Sequence, residues 1–408
     1  MTSRERFLAA IRNQVPDQVP VAPDISNYIP VKRTGLPFWE VYFDNKVPLW
    51  QAYMDAITHF GGDAWVASVY GHSALCRYDY SDVESTHKDV YQADLDAMVR
   101  TTHIRTPDGD MTTEQLCFRR DPPTATQKHI QDLSRDFRQF RWLRRPPTGI
   151  IQEEVEKVRT YCHQRGQAYG FHVGYPGLHS WFYFVQDGLQ QLSLASFDCP
   201  EILDEWYEID LACFIQTLKL VLTAQPDYIL FGGSGTLTLS SPELAMKYTI
   251  PALKILAQMC RDANVPTMLH SCGKSRMLVD MLAEHTTVNL INPLEIAPMG
   301  DVDLAEVKRA RGHQIALMGN LHTTQVMLHG TPTLVRERAI QAMRDAGAGG
   351  GFILSTGDQC PRDTPDENLF ALIQTAREFG AYDQATGRLK ALEATKGLFQ
   401  NVARASCP

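Results

Sequence analysis

The fold is decided by a short apolar run that ends in polar residues, Val265-Pro266-Thr267-Met268-Leu269-His270-Ser271-Cys272-Gly273. A run of this length with an apolar centre is typical of a parallel strand that is buried on both faces. The polar residues and glycine at its end predict a turn into a helix. Four other runs in the second half of the chain share this pattern, and they lie at residues 226–233, 288–295, 314–321 and 351–358.

Helical patterns separate these apolar runs. They cover residues 241–261, 275–285, 304–311, 333–346 and 366–379. Three earlier apolar runs, at 19–24, 63–68 and 168–174, bring the number of predicted strands to eight. Eight strand–helix units predict an α/β fold of the closed (β/α)8 TIM-barrel type. An open doubly wound sheet is the alternative, but the chain lacks the G-x-G-x-x-G turn that often marks such a sheet.

The regular alternation breaks between about residues 70 and 160. Residues 90–105 and 112–118, around the turn Pro107-Asp108-Gly109-Asp110, predict a β-hairpin inserted between strands two and three. We expect this insertion to cover the barrel mouth or to make a subunit contact. The whole chain, 1–408, is predicted to be one barrel domain, with a C-terminal extension at about 384–408.

The composition excludes several classes of protein. Of the 408 residues, 44% are hydrophobic and 21% are charged, which is typical of a globular protein. A net charge of -8 argues against a nucleic-acid partner, and the basic run Arg135 to Arg145 is interpreted as a solvated linker or partner face. No segment approaches the roughly 18 consecutive apolar residues that cross a membrane, and no signal peptide is evident. We therefore expect a cytoplasmic protein without a membrane partner.

Candidate catalytic residues are sought at the carboxyl ends of the strands, where TIM barrels place their sites. His270 and Cys272 share one strand face, and imidazole and thiolate are both good zinc ligands. Asp358 and Cys360 offer a third donor at the end of the last strand. Two alternatives remain for the His-x-Cys pair: a structural histidine beside an inert thiol, or a Cys/His nucleophile pair.

Five further strand-end residues are candidates for binding or catalysis. Glu295 is a candidate fourth metal ligand or substrate contact, and its alternative is a helix-capping or solvated carboxylate. Asp24 is a candidate proton acceptor or a structural hydrogen-bond partner. Tyr175 and His179 belong to an aromatic stretch that either stacks a flat ligand or packs in the core. Asn320 either orients the substrate or closes a turn.

Several segments resemble the uroporphyrinogen decarboxylase superfamily. They are Arg4-Glu5-Arg6-Phe7-Leu8-Ala9-Ala10-Ile11 with Asp17-Gln18-Val19-Pro20-Val21, Leu269-His270-Ser271-Cys272-Gly273, Leu317-Met318-Gly319-Asn320-Leu321, Gly351-Phe352-Ile353-Leu354-Ser355-Thr356-Gly357 and Thr364-Pro365-Asp366-Glu367-Asn368-Leu369. The resemblance implies a TIM barrel and one of two activities. The decarboxylase branch binds a tetrapyrrole with an arginine-rich N-terminal loop, and this chain has Ile25-Ser26-Asn27-Tyr28 there instead.

The other branch of the superfamily comprises zinc methyltransferases, and this branch resembles the chain more. Its His-x-Cys motif is matched by His270 and Cys272. Its third ligand directly follows the glycine after the last strand, where this chain has Asp358, and the nearest thiol is Cys360. We favour Cys360 because a thiolate is the softer ligand, with Asp358 as the alternative.

The resemblance therefore implies a zinc-dependent methyltransferase that moves a methyl group between a corrinoid and a small-molecule donor or acceptor. The corrinoid would be free methylcobalamin or would sit on a separate corrinoid protein, and a homodimer is plausible. His270, Cys272 and Asp24 are the expected catalytic residues, and Tyr175, His179 and Asn320 are the expected cofactor-binding residues. The alternatives are a decarboxylase of a tetrapyrrole or other carboxylated substrate, and a non-catalytic tetrapyrrole-binding barrel.

Overall fold

The computed structural model describes residues 1–394. Its strands are β1 (Cys76–Arg77), β2 (Glu84–Gln92), β3 (Ala97–Thr106), β4 (Gly109–Phe118), β5 (Thr124–Gln127), β6 (Gly149–Ile150), β7 (Gly170–Val173), β8 (Tyr228–Gly232), β9 (Thr267–His270), β10 (Leu290–Asn292), β11 (Ala316–Leu321) and β12 (Phe352–Thr356). Short 3-10 helices lie at Val66–Ser68, His72–Ala74 and Arg141–Leu143, and π-helical turns lie at Ala245–Thr249 and Thr323–Leu328.

The α-helices are distributed along the whole described part of the chain. They are α1 (Ser3–Ile11), α2 (Tyr28–Thr34), α3 (Phe38–Tyr42), α4 (Leu49–Phe60), α5 (Leu133–Phe140), α6 (Gln152–Gln164), α7 (Leu178–Trp181), α8 (Gly188–Asp198), α9 (Pro200–Thr223), α10 (Pro242–Leu244), α11 (Ile250–Asp262), α12 (Arg276–His285), α13 (Leu304–Arg311), α14 (Pro332–Ala346), α15 (Asp366–Phe379) and α16 (Lys390–Ala394).

A six-stranded parallel sheet forms the centre of the molecule, in the order β7-β8-β9-β10-β11-β12. Neighbouring strands follow one another in the sequence, and helices lie between them. The strand residues are almost all buried, because both sheet faces are covered. The predicted α/β fold is therefore confirmed in its six regular strands.

The first two predicted strands are not regular strands: the segment at 19–24 is extended, and the segment at 63–68 is extended only up to Trp65 and then enters the 3-10 helix Val66–Ser68. Val21 makes an isolated parallel bridge to Leu354 of β12, and Trp65 makes one to Ala168, just before β7. The amide of Asp63 donates to the carbonyl of Val21 at 2.8 Å and joins the two segments. Two prolines in the first segment remove amide donors, so a continuous ladder cannot form there. The first segment lies beside the edge strand β12, and the second lies beside the residues that lead into the other edge strand, β7. These are the places where the first two barrel strands were expected.

The insertion is larger than the predicted hairpin. The hairpin of β3 and β4 is confirmed, but it belongs to a four-stranded antiparallel sheet in the order β2-β3-β4-β5. The prediction of one extended run over 90–105 is wrong, because the chain turns at Asp96, whose φ is 46°, and β2 pairs with β3. No glycine or proline marks this turn in the sequence.

A second hydrophobic cluster packs the insertion against the barrel helices. It joins Ile104 and Met111 of the insertion sheet to Phe140 of α5, Trp181 of α7 and Trp206 of α9. The rings of Trp181 and Trp206 stack with their centroids 5.0 Å apart. The basic run that contains Phe140 is therefore partly a core element, and its interpretation as a solvated linker is wrong for α5.

Two further observations concern the whole described part of the chain. No helix within residues 1–394 is both long and apolar enough to cross a membrane. The predicted C-terminal extension at about 384–408 contains α16, and its residues after Ala394 lie outside the described residues.

Candidate active site

Two adjoining cavities at the carboxyl ends of the barrel strands contain the predicted metal donors. The inner cavity has a volume of about 650 Å³, and its walls include residues of β8 and β9 and of the insertion. The outer cavity has a volume of about 570 Å³, and Leu239, Pro298 and Met299 contribute to its apolar wall. Cys272 and Asp358 line both cavities, so the two cavities meet at the predicted metal donors.

The loop after β9 is held in a fixed conformation. The amide of Ser271 donates to the carbonyl of Asn292 at 2.9 Å, and the amide of Gly273 donates to Oε1 of Glu295 at 2.7 Å. Gly273 has a φ of 78°, and a Cβ at this position would lie 2.2 Å from Oγ1 of Thr238. Only glycine fits this turn, and the turn fixes Cys272 beside the end of β9.

The predicted metal donors converge in two overlapping groups. Asp24, His270 and Asp358 form one group, and Cys272, Glu295 and Asp358 form the other; within each group the candidate ligand atoms lie within 4.8 Å of one another. Asp358 belongs to both groups, and its Oδ1 lies 3.8 Å from Nε2 of His270. The arrangement gathers imidazole, thiol and carboxylate ligands from the ends of several strands.

The buried carboxylates of these two groups favour a bound cation. Burial and the nearby charge of Asp358 raise the pKa of both Asp24 and Glu295. Burial alone would lower the pKa of His270, but its contact with Cys272 and the charge of Asp358 raise that pKa to about 9, so this imidazole must lose a proton to bind a metal. Nδ1 of His270 is buried and has no hydrogen-bond partner among the described residues. A divalent cation would offset the carboxylate repulsion, and the mixed N, S and O donors fit zinc.

Cys360 lies outside both donor groups. It is fully buried, its amide donates to the carbonyl of Asp24 at 2.7 Å, and burial raises the pKa of its thiol. The preference for Cys360 assumed that strand geometry persists after the last strand. Instead β12 ends at Thr356, and Asp358 adopts a φ of 115°. The geometry therefore favours Asp358 over Cys360 as the third ligand.

The three predicted cofactor-binding residues lie in different places. His179 lines the inner cavity. Tyr175 lies behind it, fully buried, with its ring 4.3 Å from that of His179 and its hydroxyl 3.0 Å from Oγ1 of Thr236. Asn320 lines neither the inner nor the outer cavity but a separate one of about 410 Å³, and its Nδ2 donates to the carbonyl of Leu294 at 3.1 Å. Of the three, His179 is the one that lines either of these two cavities, and both of its ring nitrogens are buried.

The sequence analysis did not predict three residues that line the two cavities. His72 and Arg144 come from the segment at 70–160 and line the inner cavity. Nε of Arg144 donates to Oδ1 of the fully buried Asp210 at 2.7 Å. His322 lines the outer cavity, and its Nδ1 accepts from the amides of the following turn. His322 directly follows β11, so the strand-end rule could have found it, whereas Arg144 belongs to the basic run Arg135 to Arg145, which the sequence analysis interpreted as a solvated linker or partner face.

Comparison with known proteins identifies the family. The sequence profile of uroporphyrinogen decarboxylase (URO-D) matches residues 76–379. The chain belongs to the uroporphyrinogen decarboxylase family. A solved structure of a methyltransferase from Methanosarcina mazei covers 93% of this chain and 99% of its own, with a TM-score of 0.62 and 17% sequence identity. That likeness shows that the two chains share the TIM-barrel fold of the family.

The curated relatives include both decarboxylases and a methyltransferase. A methylcobamide:CoM methyltransferase from Methanosarcina mazei is 30% identical over 140 residues, which is 34% of this chain and 37% of the relative. A uroporphyrinogen decarboxylase from Trichodesmium erythraeum is 27% identical over 143 residues, which is 35% of this chain and 38% of the relative. The chain thus matches less than two fifths of the length of either relative. Because the two identities are similar, the choice between methyl transfer and decarboxylation depends on the site.

Proposed function

We propose that the protein is a zinc-dependent methyltransferase that moves a methyl group between a corrinoid and a small molecule. The observation that carries the proposal is the convergence of Cys272, Glu295 and Asp358, with His270 and Asp24 beside them, where two cavities meet. A thiolate, an imidazole and carboxylates are the ligands that zinc commonly takes in catalytic sites.

His270, Cys272 and Asp358 would hold the metal. Glu295 would complete the site, since its Oε1 already accepts from the amide of Gly273 and its second oxygen remains for a ligand contact. Bound zinc supplies a Lewis acid that lowers the pKa of a thiol or hydroxyl, or polarises a methylated heteroatom.

Asp24 is placed to hold a proton in this site. Its Oδ1 accepts from the amide of Ser26 at 3.0 Å, and burial beside Asp358 raises its pKa. A protonated Oδ2 could donate to the heteroatom that loses its methyl group, and the carboxylate could take that proton back in the reverse direction.

The two cavities would separate the two reactants. The small molecule would occupy the inner cavity, where Trp65, Phe184 and Phe214 limit the access of water. The corrinoid, free or carried by a separate protein, would approach through the more apolar outer cavity. Methyl transfer needs the donor and the acceptor on opposite sides of the methyl group, and two cavities that meet at the metal donors suit this requirement.

The inner cavity is poorly suited to a substrate with several carboxylates. Among the described residues, Arg144 is the one lysine or arginine side chain in the lining of this cavity. Its positive charge is already paired with Asp210. A decarboxylase of a multi-carboxylate tetrapyrrole would need several cations free to bind the substrate. The charge of the cavity therefore supports methyl transfer over decarboxylation.

Metal analysis of the purified full-length protein tests the proposal. We expect about one zinc per chain in the native protein and in the control variant Cys260→Ala, whose thiol is buried in α11 away from the site. His270→Ala and Cys272→Ala should weaken zinc binding by more than the roughly 10–100-fold that loss of an outer-shell partner costs. The native protein should also demethylate methylcobalamin in a spectral assay with candidate thiol acceptors. Absence of stoichiometric zinc, or its retention in both ligand variants, would contradict the proposal.

A further inference from the structure

Arg144 lines the inner cavity with part of its hydrogen-bonding capacity unused. Its Nε donates to Oδ1 of Asp210 at 2.7 Å, and 19% of its side-chain surface is exposed. Neither terminal nitrogen of its guanidinium group has a hydrogen-bond partner among the described residues, and neither nitrogen is buried. The N–H groups on both terminal nitrogens therefore remain free to bind a ligand.

The guanidinium group of Arg144 is held in place from behind. Asp210 is fully buried and does not line the cavity, and its Oδ2 is already occupied by Nε1 of Trp181 at 3.0 Å. Cζ of Arg144 lies 5.4 Å from the ring centre of Phe184 and 5.9 Å from that of Phe214. A ligand in the cavity would therefore meet a fixed guanidinium group, while the carboxylate that pairs with it is enclosed in the protein.

The other basic side chains of the cavity lining add no positive charge outside the metal donors. Burial lowers the pKa of His72 to about 4 and that of His179 to about 3, and it also lowers the pKa of His172. These three imidazoles are therefore neutral near pH 7. Among the described lining residues, this leaves Arg144 to bind an anion, and one guanidinium group can bind one anionic group but not several.

The negative charges of the cavity restrict where such an anion can lie. Asp24 and Asp358 line the same cavity and would repel an anion placed beside them. Both belong to the metal-donor groups, so bound zinc would offset their charge. Arg144 belongs to neither donor group, and its partners are Asp210 and aromatic rings. An anionic group is therefore favourable beside the guanidinium group.

We propose that Arg144 anchors the small-molecule substrate by binding a single carboxylate group through its two terminal nitrogens. These nitrogens lie in one plane, as do the two oxygens of a carboxylate, so two parallel hydrogen bonds can form. The fate of the bound molecule rests on the proposed function, but the binding preference can be measured without turnover. Arg144 lies between β5 and β6, so the insertion selects the substrate while the ends of the barrel strands supply the metal donors.

Isothermal titration calorimetry with three matched probes tests this anchor. Benzoate, benzamide and benzamidine have nearly the same size, and they carry a negative charge, no charge and a positive charge. We expect the full-length protein to bind benzoate at least about tenfold more tightly than benzamide, the effect of hydrogen bonds to a charged group. Benzamidine should bind more weakly than benzoate. Equal affinity for benzoate and benzamide, tighter binding of benzamidine, or binding of none of the three would overturn the proposal.

Two variants separate recognition of the carboxylate from general damage to the cavity. Arg144→Lys keeps a cation beside Asp210 but removes the planar pair of nitrogens. The double variant Arg144→Met with Asp210→Leu removes both charges and leaves neither unpaired. In both variants the preference for benzoate over benzamide should fall to about one, whereas the affinity for benzamide should stay close to that of the native protein. Thermal unfolding checks that the variants are folded.

Arg141→Gln is the matched control, because Arg141 comes from the same segment but forms exposed ion pairs and does not line the inner cavity. It should keep the preference for benzoate. If benzoate bound the zinc instead, both Arg144 variants would retain the preference, and the proposal would be wrong. Equal weakening of benzoate and benzamide in both variants would show that Arg144 has only a structural role, and it would also overturn the proposal.

Zinc content distinguishes failure of this proposal from failure of the proposed function. Arg144→Lys should bind as much zinc as the native protein, because Arg144 belongs to neither donor group. A native protein that lacks zinc but shows a preference for benzoate that depends on Arg144 would contradict only the proposed function. A native protein that carries zinc without this preference would contradict only the role of Arg144.

Discussion

At the scale of single residues, the candidate metal site depends on which side chain after β12 faces the His-Ser-Cys turn. The sequence offered Asp358 and Cys360, which would share a face if the strand continued. The positive φ of Asp358, 115°, ends the strand alternation. Asp358 then faces His270 and Cys272, while Cys360 is enclosed near Asp24.

Asp358→Asn should lower zinc affinity at least about tenfold, because it removes the charge that both donor groups share. Cys360→Ser should keep the affinity of the native protein, although a hydroxyl in a buried thiol position should cost about 1–2 kcal/mol of stability. Competition with a chromogenic chelator measures the affinities, and thermal unfolding checks that both variants are folded. Loss of zinc from Cys360→Ser with retention in Asp358→Asn would reverse the assignment.

The sequence predicted most of the candidate site residues that lie at strand ends, but it missed His322 after β11. His270, Cys272, Asp24 and Glu295 were found because parallel strands bring their carboxyl ends together. Arg144 could not be found in this way, because it reaches the cavity from the insertion through packing between distant aromatic residues.

At the scale of elements, the prediction succeeded where a segment is buried on both faces or has a clear amphipathic pattern. The predicted helices at 304–311 and 366–379 coincide with α13 and α15. The prediction of regular strands at 19–24 and 63–68 was wrong, because isolated bridges and the side chain of Asp63 position these segments instead of a continuous ladder. Oδ2 of Asp63 accepts from the amide of Val21 at 2.7 Å in place of a ladder partner. Hydrophobic patterns contain no information about such a contact.

A second carboxylate, that of Asp227, ties α1 to the turn before β8. It accepts from Nε of Arg4 and the amide of Tyr169, each at 2.9 Å, and it contacts His163 at 3.0 Å. Burial alone would raise the pKa of Asp227, but these contacts lower it below the usual value. The folded state therefore binds this proton more weakly than the unfolded state does. The stabilisation from Asp227 is present above the unfolded pKa of about 3.9 and is lost as the pH falls through the folded value.

Asp227→Asn should consequently reduce the free energy of unfolding by about 1–3 kcal/mol at neutral pH. The difference between variant and native protein should shrink as the pH falls below about 4, because the native carboxylate then takes up its proton. Urea unfolding at several pH values measures the difference. Asp55→Asn is the control, since Asp55 is largely exposed and should change stability little at any pH. A difference that stays constant with pH would show that the charge of Asp227 is not what stabilises the fold.

At the scale of the whole molecule, the insertion forms part of the candidate site. It supplies His72 and Arg144 to the inner cavity, and its sheet packs on α7 and α9. Asp210 of α9 accepts from Arg144 and also from Nε1 of Trp181 at 3.0 Å, so one buried carboxylate joins the insertion to two barrel helices. The interpretation of residues 1–408 as one domain stays a prediction, and it implies that the insertion and the barrel unfold together.

Arg144→Gln should therefore destabilise the protein by about 3–5 kcal/mol, because it leaves the buried carboxylate of Asp210 without its cation. Arg141→Gln is the matched control: Arg141 also pairs with carboxylates, but the pairs are exposed and should contribute at most about 1 kcal/mol. Chemical denaturation gives both values, and limited proteolysis should cut the insertion of Arg144→Gln faster. The double variant Arg144→Met with Asp210→Leu removes both charges and should recover most of the lost stability. If Arg144→Gln is no less stable than Arg141→Gln, the buried pair does not anchor the insertion, and the aromatic cluster alone holds it to the barrel.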